Sequence, residues 1–284
     1  MQVLYLYKRG ELLMNQRKSL KELNLLDKFL FDEAMDDPEN VKTMLDIILS
    51  QNTNLKHPPQ TEKEQRTSTD NRQIRLDVYA IDEDDVIYEV EAQKENTHNL
   101  PKRSRLYQGI IDSKLLPPGV VDFNLLNEVL IVLIMPFDLF GYGLYRYTFQ
   151  MKCEEVPELK LDDGATRIFL NTRGKHPELV SPELIELLKY MEHSTDEISE
   201  ACESKRIQEM HRRVCQIKAS EKAEVKYMQT WEEKILIKQE GERIGLERIN
   251  RLNQKLIEQG RFDDLTKATS DSSYQEKLLK EFKI

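Results

Sequence analysis

The sequence predicts a mixed α/β domain followed by a mostly helical tail, and three observations support this prediction. Alternating apolar and polar residues flank an acidic turn between Ile74 and Gln93, which is typical of a β-hairpin. Before this hairpin, apolar residues recur at helical spacing, and beyond Pro182 almost the whole chain is helical in character. The resulting order of helix, strand, strand, helix and strand favours one sheet with helices packed against it.

Two helices are predicted between Leu20 and Ser50. The second has a start signal, because Pro38 follows a pair of aspartates and proline is favoured in the first turn of a helix. Residues 51–72 are polar and contain two adjacent prolines, so they are predicted to form a loop. The apolar residues at helical spacing are Leu23, Leu26, Phe29 and Leu30 in the first segment and Val41, Met44, Leu45 and Ile48 in the second.

The predicted hairpin determines which polar side chains lie together. If its turn centres on Asp84, Asp77 lies directly opposite Glu91, and Arg75 lies opposite Gln93. Glu91 and Gln93 are two residues apart on one strand, so both side chains point to the same face. Paired residues across a hairpin have Cβ atoms about 5 Å apart, and the Asp77 and Glu91 carboxylates are therefore expected to share one site.

Downstream of the hairpin, the pattern predicts a helix, three strands and the helical tail. The helix begins near Leu100, with Pro101 in its first turn, and a proline pair followed by glycine stops it after Leu116. In the tail, Gly260 is a predicted C-cap, and a short last helix follows from about Ser273 to Phe282. The three strands are predicted at Val129–Met135, Leu144–Met151 and Ala165–Leu170.

The composition limits the classes of protein. The chain has 284 residues, 33% of them charged, and a net charge of -9, so only a local basic patch could bind nucleic acid. The three cysteines fit no zinc or disulfide spacing and the histidines are scattered, so neither a zinc enzyme nor a Cys–His nucleophile is predicted. No signal peptide is visible and no apolar stretch is long enough to span a bilayer, so we expect a cytoplasmic protein without membrane contact.

The pairing of Asp77 with Glu91 suggests metal-assisted hydrolysis. Two carboxylates this close repel each other unless a divalent cation neutralises them, and Mg²⁺ binds such hard oxygen ligands together with water and phosphate. The candidate catalytic residues are therefore Asp77, Glu91 and Gln93, with Asp77 and Glu91 as the metal ligands and Mn²⁺ as a substitute ion. The Gln93 amide could orient a water or a phosphate. The alternative is that these side chains are only the solvated face of an antiparallel hairpin.

Basic residues cluster at the start of the helix that follows the hairpin. Lys102, Arg103, Arg105 and Tyr107 are candidate DNA-binding residues, because arginine makes bidentate contacts to phosphate and tyrosine can stack or donate a hydrogen bond. A solvated basic helix face is the alternative. DNA is the expected partner if the hairpin is an active site.

At these residues the sequence resembles the PD-(D/E)XK nuclease family transposases, also called recombination-promoting nucleases. Arg75–Val78 is similar to the motif whose aspartate binds metal in the family. Glu91–Gln93 is similar to the E-x-K motif, with glutamine in place of lysine. The ordered set of similar segments also contains Leu26–Phe31, Arg103–Tyr107 and Ile168–Lys175, and Gly241–Gly245 and Ile257–Arg261 resemble the helical extension of the family.

The resemblance implies a restriction-endonuclease-like mixed sheet flanked by helices, with a nuclease core over residues 14–175 and a helical C-terminal extension over residues 176–284. It implies a metal-dependent DNA endonuclease that hydrolyses phosphodiester bonds and is associated with recombination or mobile elements. It also implies an acidic residue from the first helix, for which Glu33, Asp37 and Glu39 are candidates. A catalytically inactive DNA-binding relative and a helical assembly scaffold are the alternatives.

One predicted helix of the tail is amphipathic. Such a helix could pair with a second copy, so a homodimer through the C-terminal helices is predicted. The alternative is that its apolar stripe packs against the chain's own core. The stripe consists of Leu246, Ile249, Leu252, Leu256 and Ile257.

Overall fold

The computed structural model describes residues 17–65 and 74–284. Over these ranges the protein is α/β, with a six-stranded mixed sheet and many helices, and this part of the predicted fold class is confirmed. The chain forms two compact units, one of residues 18–224 and one that contains Val225–Ile284. The proposed boundary at residue 175 stays a prediction.

Two helices precede the sheet, as predicted, but the first begins only at Lys28, so Leu23 and Leu26 of the predicted spacing lie before it. The two helices are α1 (Lys28–Met35) and α2 (Pro38–Leu49). The Asp37 side chain caps α2 by accepting a hydrogen bond from the Glu39 backbone N–H at 2.9 Å, and Pro38 takes the first helical position, where its missing N–H has no cost.

The sheet has the strand order β1-β2-β3-β4-β6-β5. The first three strands are antiparallel, β4 runs parallel to β3, β6 runs parallel to β4, and β5 pairs antiparallel with β6. This arrangement places β3 and β4 in the centre of the sheet. The strands are β1 (Gln60–Gln65), β2 (Ile74–Ile81), β3 (Ile87–Ala92), β4 (Val129–Met135), β5 (Arg146–Phe149) and β6 (Ala165–Asn171).

The β2–β3 hairpin has the register that the sequence predicted. The pairs run from Ile81 opposite Ile87 to Val78 opposite Val90, and the same register places Asp77 opposite Glu91. The turn is held by Asp82, whose Oδ1 accepts hydrogen bonds from the backbone N–H groups of Asp84 at 3.0 Å and Val86 at 2.9 Å.

The predicted loop over residues 51–72 is wrong in part, because it contains β1. This strand is almost wholly polar and pairs only with β2, so it lies at an edge of the sheet and lacks the apolar alternation of a half-buried strand. The rest of that prediction includes residues 66–72, which lie outside the described residues.

The helix after the hairpin, α3 (Leu100–Asp112), ends four residues earlier than predicted. It packs against one face of the sheet. Its apolar residues form a core with the side chains that alternate strands contribute to that face. The members of this core include Tyr107, Ile110 and Ile111 of α3 and Tyr79, Ile87, Ile131, Leu133 and Phe169 of the sheet.

The chain after β6 is helical, as predicted. Leu252 and Leu256 of the apolar stripe are fully buried against Ala268 and Leu278, so this part of the stripe packs on the chain's own helices. Nowhere in residues 17–65 and 74–284 does a helix combine the length and apolar character that a bilayer crossing requires. The helices are α4 (Pro182–Glu192), α5 (Asp196–Ala201), α6 (Lys205–Lys218), α7 (Glu221–Glu258), α8 (Phe262–Ser270) and α9 (Ser272–Glu281).

Candidate active site

Three carboxylates lie on the face of the β2–β3 hairpin that packs against α3. Asp77, Glu89 and Glu91 have 6%, 0% and 8% of their surface exposed, so they are embedded in an otherwise apolar layer. The interpretation of this face as the solvated side of the hairpin is therefore wrong. Burying several acids in a core is costly unless cations or hydrogen-bond donors compensate them, and such groups cluster at functional sites.

Asp77 is compensated by a lysine from α1. The Lys28 Nζ lies 2.5 Å from Asp77 Oδ1 and 3.1 Å from the carboxylate of Asp32, one turn further along α1. Burial alone would lower the pKa of Lys28, but the two carboxylates outweigh it and hold this pKa above its ordinary value. The first helix thus brings both a cation and an acid to the site.

Glu91 is compensated by an arginine from α3. The Arg103 Nη2 lies 2.5 Å from Glu91 Oε1 and 2.5 Å from the side-chain oxygen of Gln93, so one guanidinium nitrogen donates to both residues of the E-x-Q motif. The other end of the Gln93 amide donates to the backbone carbonyl of Glu95 at 2.5 Å. Glu91 and Gln93 are therefore oriented by the same cation.

Glu89 is the most deeply buried of the three acids. Its register neighbours are Tyr79 on β2 and Ile131 on β4, and among the described residues neither of its carboxyl oxygens has a hydrogen-bond partner. The second oxygen of Glu91, Oε2, is also buried and has no hydrogen-bond partner among the described residues. These unsatisfied oxygens are acceptors that a cation or a donor could use.

The electrostatics follow from this burial. Burial raises the pKa of Glu91 from an ordinary 4.5 to about 7, and the neighbouring Arg103 opposes the shift. Burial and the charges of Glu91 and Asp77 raise the pKa of Glu89 well above its ordinary value. Burial also raises the pKa of Tyr107, whose ring lies 5.9 Å from the Arg103 guanidinium carbon.

The other predicted DNA-binding residues lie outside this cluster. Lys102 and Arg105 are exposed on α3, and within the described part of the chain no hydrogen bond or ion pair joins them to the buried acids. They leave the helix in other directions than Arg103 and Tyr107, which are four residues apart and lie on one helix face. Lys102 and Arg105 therefore lie at the surface of the protein, away from the buried acids.

Of the three candidates for the acid from the first helix, Asp37 and Glu39 belong to the start of α2, whereas Glu33 lies on α1 and its role stays a prediction. Asp37 caps α2 and lies 3.5 Å from Arg213, and Glu39 follows it in the first turn of α2. Asp32 of α1 lies beside the site, because Lys28 forms ion pairs with both Asp32 and Asp77.

Sequence reasoning missed Lys28, Asp32 and Glu89 as site residues. Lys28 and Asp32 are four residues apart, so they share a helix face, but they are 49 and 45 positions before Asp77 and no local pattern joins them to it. Glu89 carried a signal, since it is two residues before Glu91 on the same strand face.

The donor set is compatible with a hard divalent cation such as Mg²⁺. Asp77, Glu89 and Glu91 offer carboxylate oxygens, some of them unpartnered, and Mg²⁺ needs only one or two protein carboxylates beside water and phosphate. The three acids do not form a closed cage, because among the described residues no three of their ligand atoms lie within 4.8 Å of one another. Asp77 and Glu91 are the two that would hold the ion.

Comparison with known proteins does not assign a family to this chain. No family model, no curated protein and no solved structure matches it. A function is therefore inferred from the residues of the site and from the motifs in the sequence.

Proposed function

We propose that this protein is a metal-dependent DNA endonuclease of the PD-(D/E)XK type, related to the recombination-promoting nucleases. The observation that carries the proposal is the buried pair of Asp77 and Glu91, opposite each other on the hairpin, with Gln93 and Arg103 beside Glu91. The mixed sheet with α3 packed on the face that bears the acids supports the finer assignment to a restriction-endonuclease-like core.

Each residue of the site would have a separate role in phosphodiester hydrolysis. Asp77 and Glu91 would hold Mg²⁺, which lowers the pKa of a bound water and stabilises charge on a phosphate. The guanidinium of Arg103 can contact a phosphate oxygen once it leaves Glu91, and the Gln93 amide can orient the attacking water. Lys102 and Arg105 would contact the DNA backbone at the surface of α3.

Plasmid cleavage tests this proposal. Purified protein is incubated with supercoiled plasmid and Mg²⁺ or Mn²⁺, beside Asp77→Asn and Glu91→Gln variants that keep the side-chain volume. Asp84→Asn is the matched control, because Asp84 is an exposed acid in the turn of the same hairpin. Metal-dependent nicking is expected from the wild type and the control and not from the two site variants, and nicking that persists in Asp77→Asn would refute the assignment.

A second candidate function is DNA binding without cleavage. It is favoured by the ion pairs themselves, because Lys28 and Arg103 already neutralise the two acids that would bind the metal. This function predicts DNA binding that weakens steeply with salt and requires Lys102 and Arg105, but no turnover with any divalent ion. Fluorescence anisotropy with a labelled duplex measures it, with Lys160→Ala as an exposed cationic control.

We also propose a homodimer through the C-terminal helices. Ile237 and Ile244 of α7 are 73% and 45% exposed and lie seven residues apart on one helix face, next to Leu236, which is 63% exposed. A helical scaffold would use the same surface. Light scattering should give twice the chain mass, and a double Leu236→Gln and Ile237→Gln variant should give a monomer.

A further inference from the structure

Three potential metal ligands outside the candidate active site meet where α5 and α6 are adjacent. Asp196 is the first residue of α5, and His211 and Cys215 are four residues apart on α6, so the two α6 side chains share one helix face. Among the described residues, this is the group of three in which every ligand atom lies within 4.8 Å of the others. The sequence spacing gave no sign of it, because Asp196 is 15 residues before His211 and aspartate is not part of a common zinc spacing.

The two distances to the sulfur are close to the edges of a coordination tetrahedron, whereas the distance from His211 to Asp196 is shorter. His211 Nε2 lies 2.8 Å from Asp196 Oδ1 and 3.4 Å from Cys215 Sγ, and the Asp196 oxygen lies 3.8 Å from that sulfur. A tetrahedral Zn²⁺ with ordinary bonds to nitrogen, oxygen and sulfur requires ligand separations of about 3.4 to 3.6 Å. Asp196 can adjust to these values because its side chain is 84% exposed.

A buried phenol fixes the direction of the histidine. The Tyr190 hydroxyl, on a fully buried side chain, lies 3.0 Å from His211 Nδ1, and the two rings are perpendicular. The contact uses Nδ1 and leaves Nε2 facing Asp196 and Cys215. A hydroxyl can donate or accept, so it can accept from Nδ1–H when the Nε2 lone pair is used for a metal.

The same geometry argues against a Cys–His–Asp nucleophile. In such a triad the acid and the nucleophile contact different nitrogens of the imidazole, so that the ring can relay a proton between them. Here Asp196 and Cys215 both approach Nε2 most closely, and the opposite nitrogen contacts Tyr190. Convergence on one point suits a cation.

We propose that Asp196, His211 and Cys215 bind one Zn²⁺ ion, with Tyr190 as the residue that orients His211. Thiolate, imidazole and carboxylate together are a ligand set for zinc, unlike the all-oxygen set that Mg²⁺ prefers. Three protein ligands leave the fourth position to a water or another small ligand. That position is accessible, because the three residues line a cavity of about 380 Å³ together with Lys21, Ser194 and Lys218.

This site is independent of the proposed nuclease, since it shares no residue with the hairpin. Its expected effect is to tie the start of α5 to the middle of α6. Metal that binds the folded state and not the unfolded chain raises the melting temperature, and the rise grows with the logarithm of the metal concentration once this exceeds Kd.

Cobalt and zinc titrations test the site on the full chain, after treatment with a chelator and with the thiols kept reduced. Co²⁺ should bind one ion per chain and produce a thiolate-to-cobalt charge-transfer band in the near ultraviolet, and Zn²⁺ should displace it. Cys215→Ser should abolish the band, and Cys153→Ser is the matched cysteine control that should keep it. Asp77→Asn should keep it as well, which separates this site from the proposed nuclease.

Asp196→Asn is the variant that leaves the core untouched, because this side chain is at the surface. It should weaken Zn²⁺ binding by at least about tenfold, in a competition titration against a chromophoric chelator, while the circular dichroism spectrum stays that of the wild type. A folded wild-type protein that gives no cobalt charge-transfer band would overturn the proposal. Equal Zn²⁺ affinity in the wild type and in both ligand variants would overturn it too.

Discussion

Glu91→Gln should make the protein more stable at neutral pH while it removes a proposed metal ligand. The folded state holds a proton on Glu91 up to about pH 7, whereas the unfolded chain releases it near the ordinary pKa of 4.5. Between these values the folded state binds more protons than the unfolded state, so the free energy of unfolding falls as pH rises. Glutamine has nearly the same shape and does not titrate, so the part of this fall in the free energy of unfolding that is due to Glu91 should disappear in the variant.

The size of the effect follows from the two pKa values. Each pKa unit between the folded and unfolded states is worth about 1.4 kcal/mol, and at pH 7 the folded protein would therefore lose about 3 kcal/mol through Glu91. Loss of the Arg103–Glu91 ion pair offsets part of the gain, although Gln93 still accepts a hydrogen bond from Arg103. The net expectation is a variant that is more stable than the wild type by about 1 to 3 kcal/mol at pH 7 and by much less at pH 4.5.

Urea denaturation at a series of pH values from 4.5 to 8 measures this difference. Glu95→Gln is the control, because Glu95 is an exposed acid three residues beyond the end of β3, and the variant should keep the steep fall of the wild type. The wild-type curve should have the steeper fall, by about one bound proton per chain over this range. If the free energy of unfolding varies with pH in the same way in the wild type and in Glu91→Gln, burial does not raise the pKa of Glu91 and the reasoning is refuted.

The remaining predictions concern the site cation, the tail and the hairpin turn. Lys28→Met should lower the rate of plasmid cleavage by about a hundredfold, the usual loss when one preorganised charged group is removed. DNA affinity, measured by anisotropy, should change little. Lys28→Arg should recover part of the rate, because it keeps a cation beside Asp77. Leu256→Ala should destabilise the C-terminal unit by about 2 to 5 kcal/mol in urea denaturation, whereas Ile257→Ala, at a half-exposed position, should cost about 0.5 kcal/mol or less. Asp82→Ala removes two backbone hydrogen bonds and one to a buried phenol, so it should cost about 3 kcal/mol by the same measurement.

The hairpin was predictable because its information is local. Both strands alternate strictly and only five residues separate them, so the centre of the turn fixes the register and therefore the pairing of Asp77 with Glu91. The polar edge strand β1 was not predictable, since a strand that is polar on both faces has the composition of a loop.

The charges around the acids depended on tertiary structure. Alternation shows that Glu89 and Glu91 share a face, but it does not show that α3 covers this face and buries them. Arg103 was expected at a DNA backbone because of the basic cluster on its helix, and the structure places it on Glu91. The pairing of Lys28 with Asp77 joins elements 49 residues apart, for which a single sequence contains no periodic signal.

The glutamine of the E-x-Q motif and the arginine of α3 form a single arrangement. One nitrogen of Arg103 donates to Glu91 and to Gln93, and only an acceptor at position 93 allows this, because a lysine has no acceptor and would place a second cation against the guanidinium. In the proposed nuclease, the positive charge that lysine provides in the E-x-K motif would come from two helices, by Arg103 beside Glu91 and by Lys28 beside Asp77. If the proposed metal binds Asp77 and Glu91, it would compete with Lys28 and Arg103 for these acids and free both cations for a phosphate, so metal binding and DNA binding would be coupled at this site.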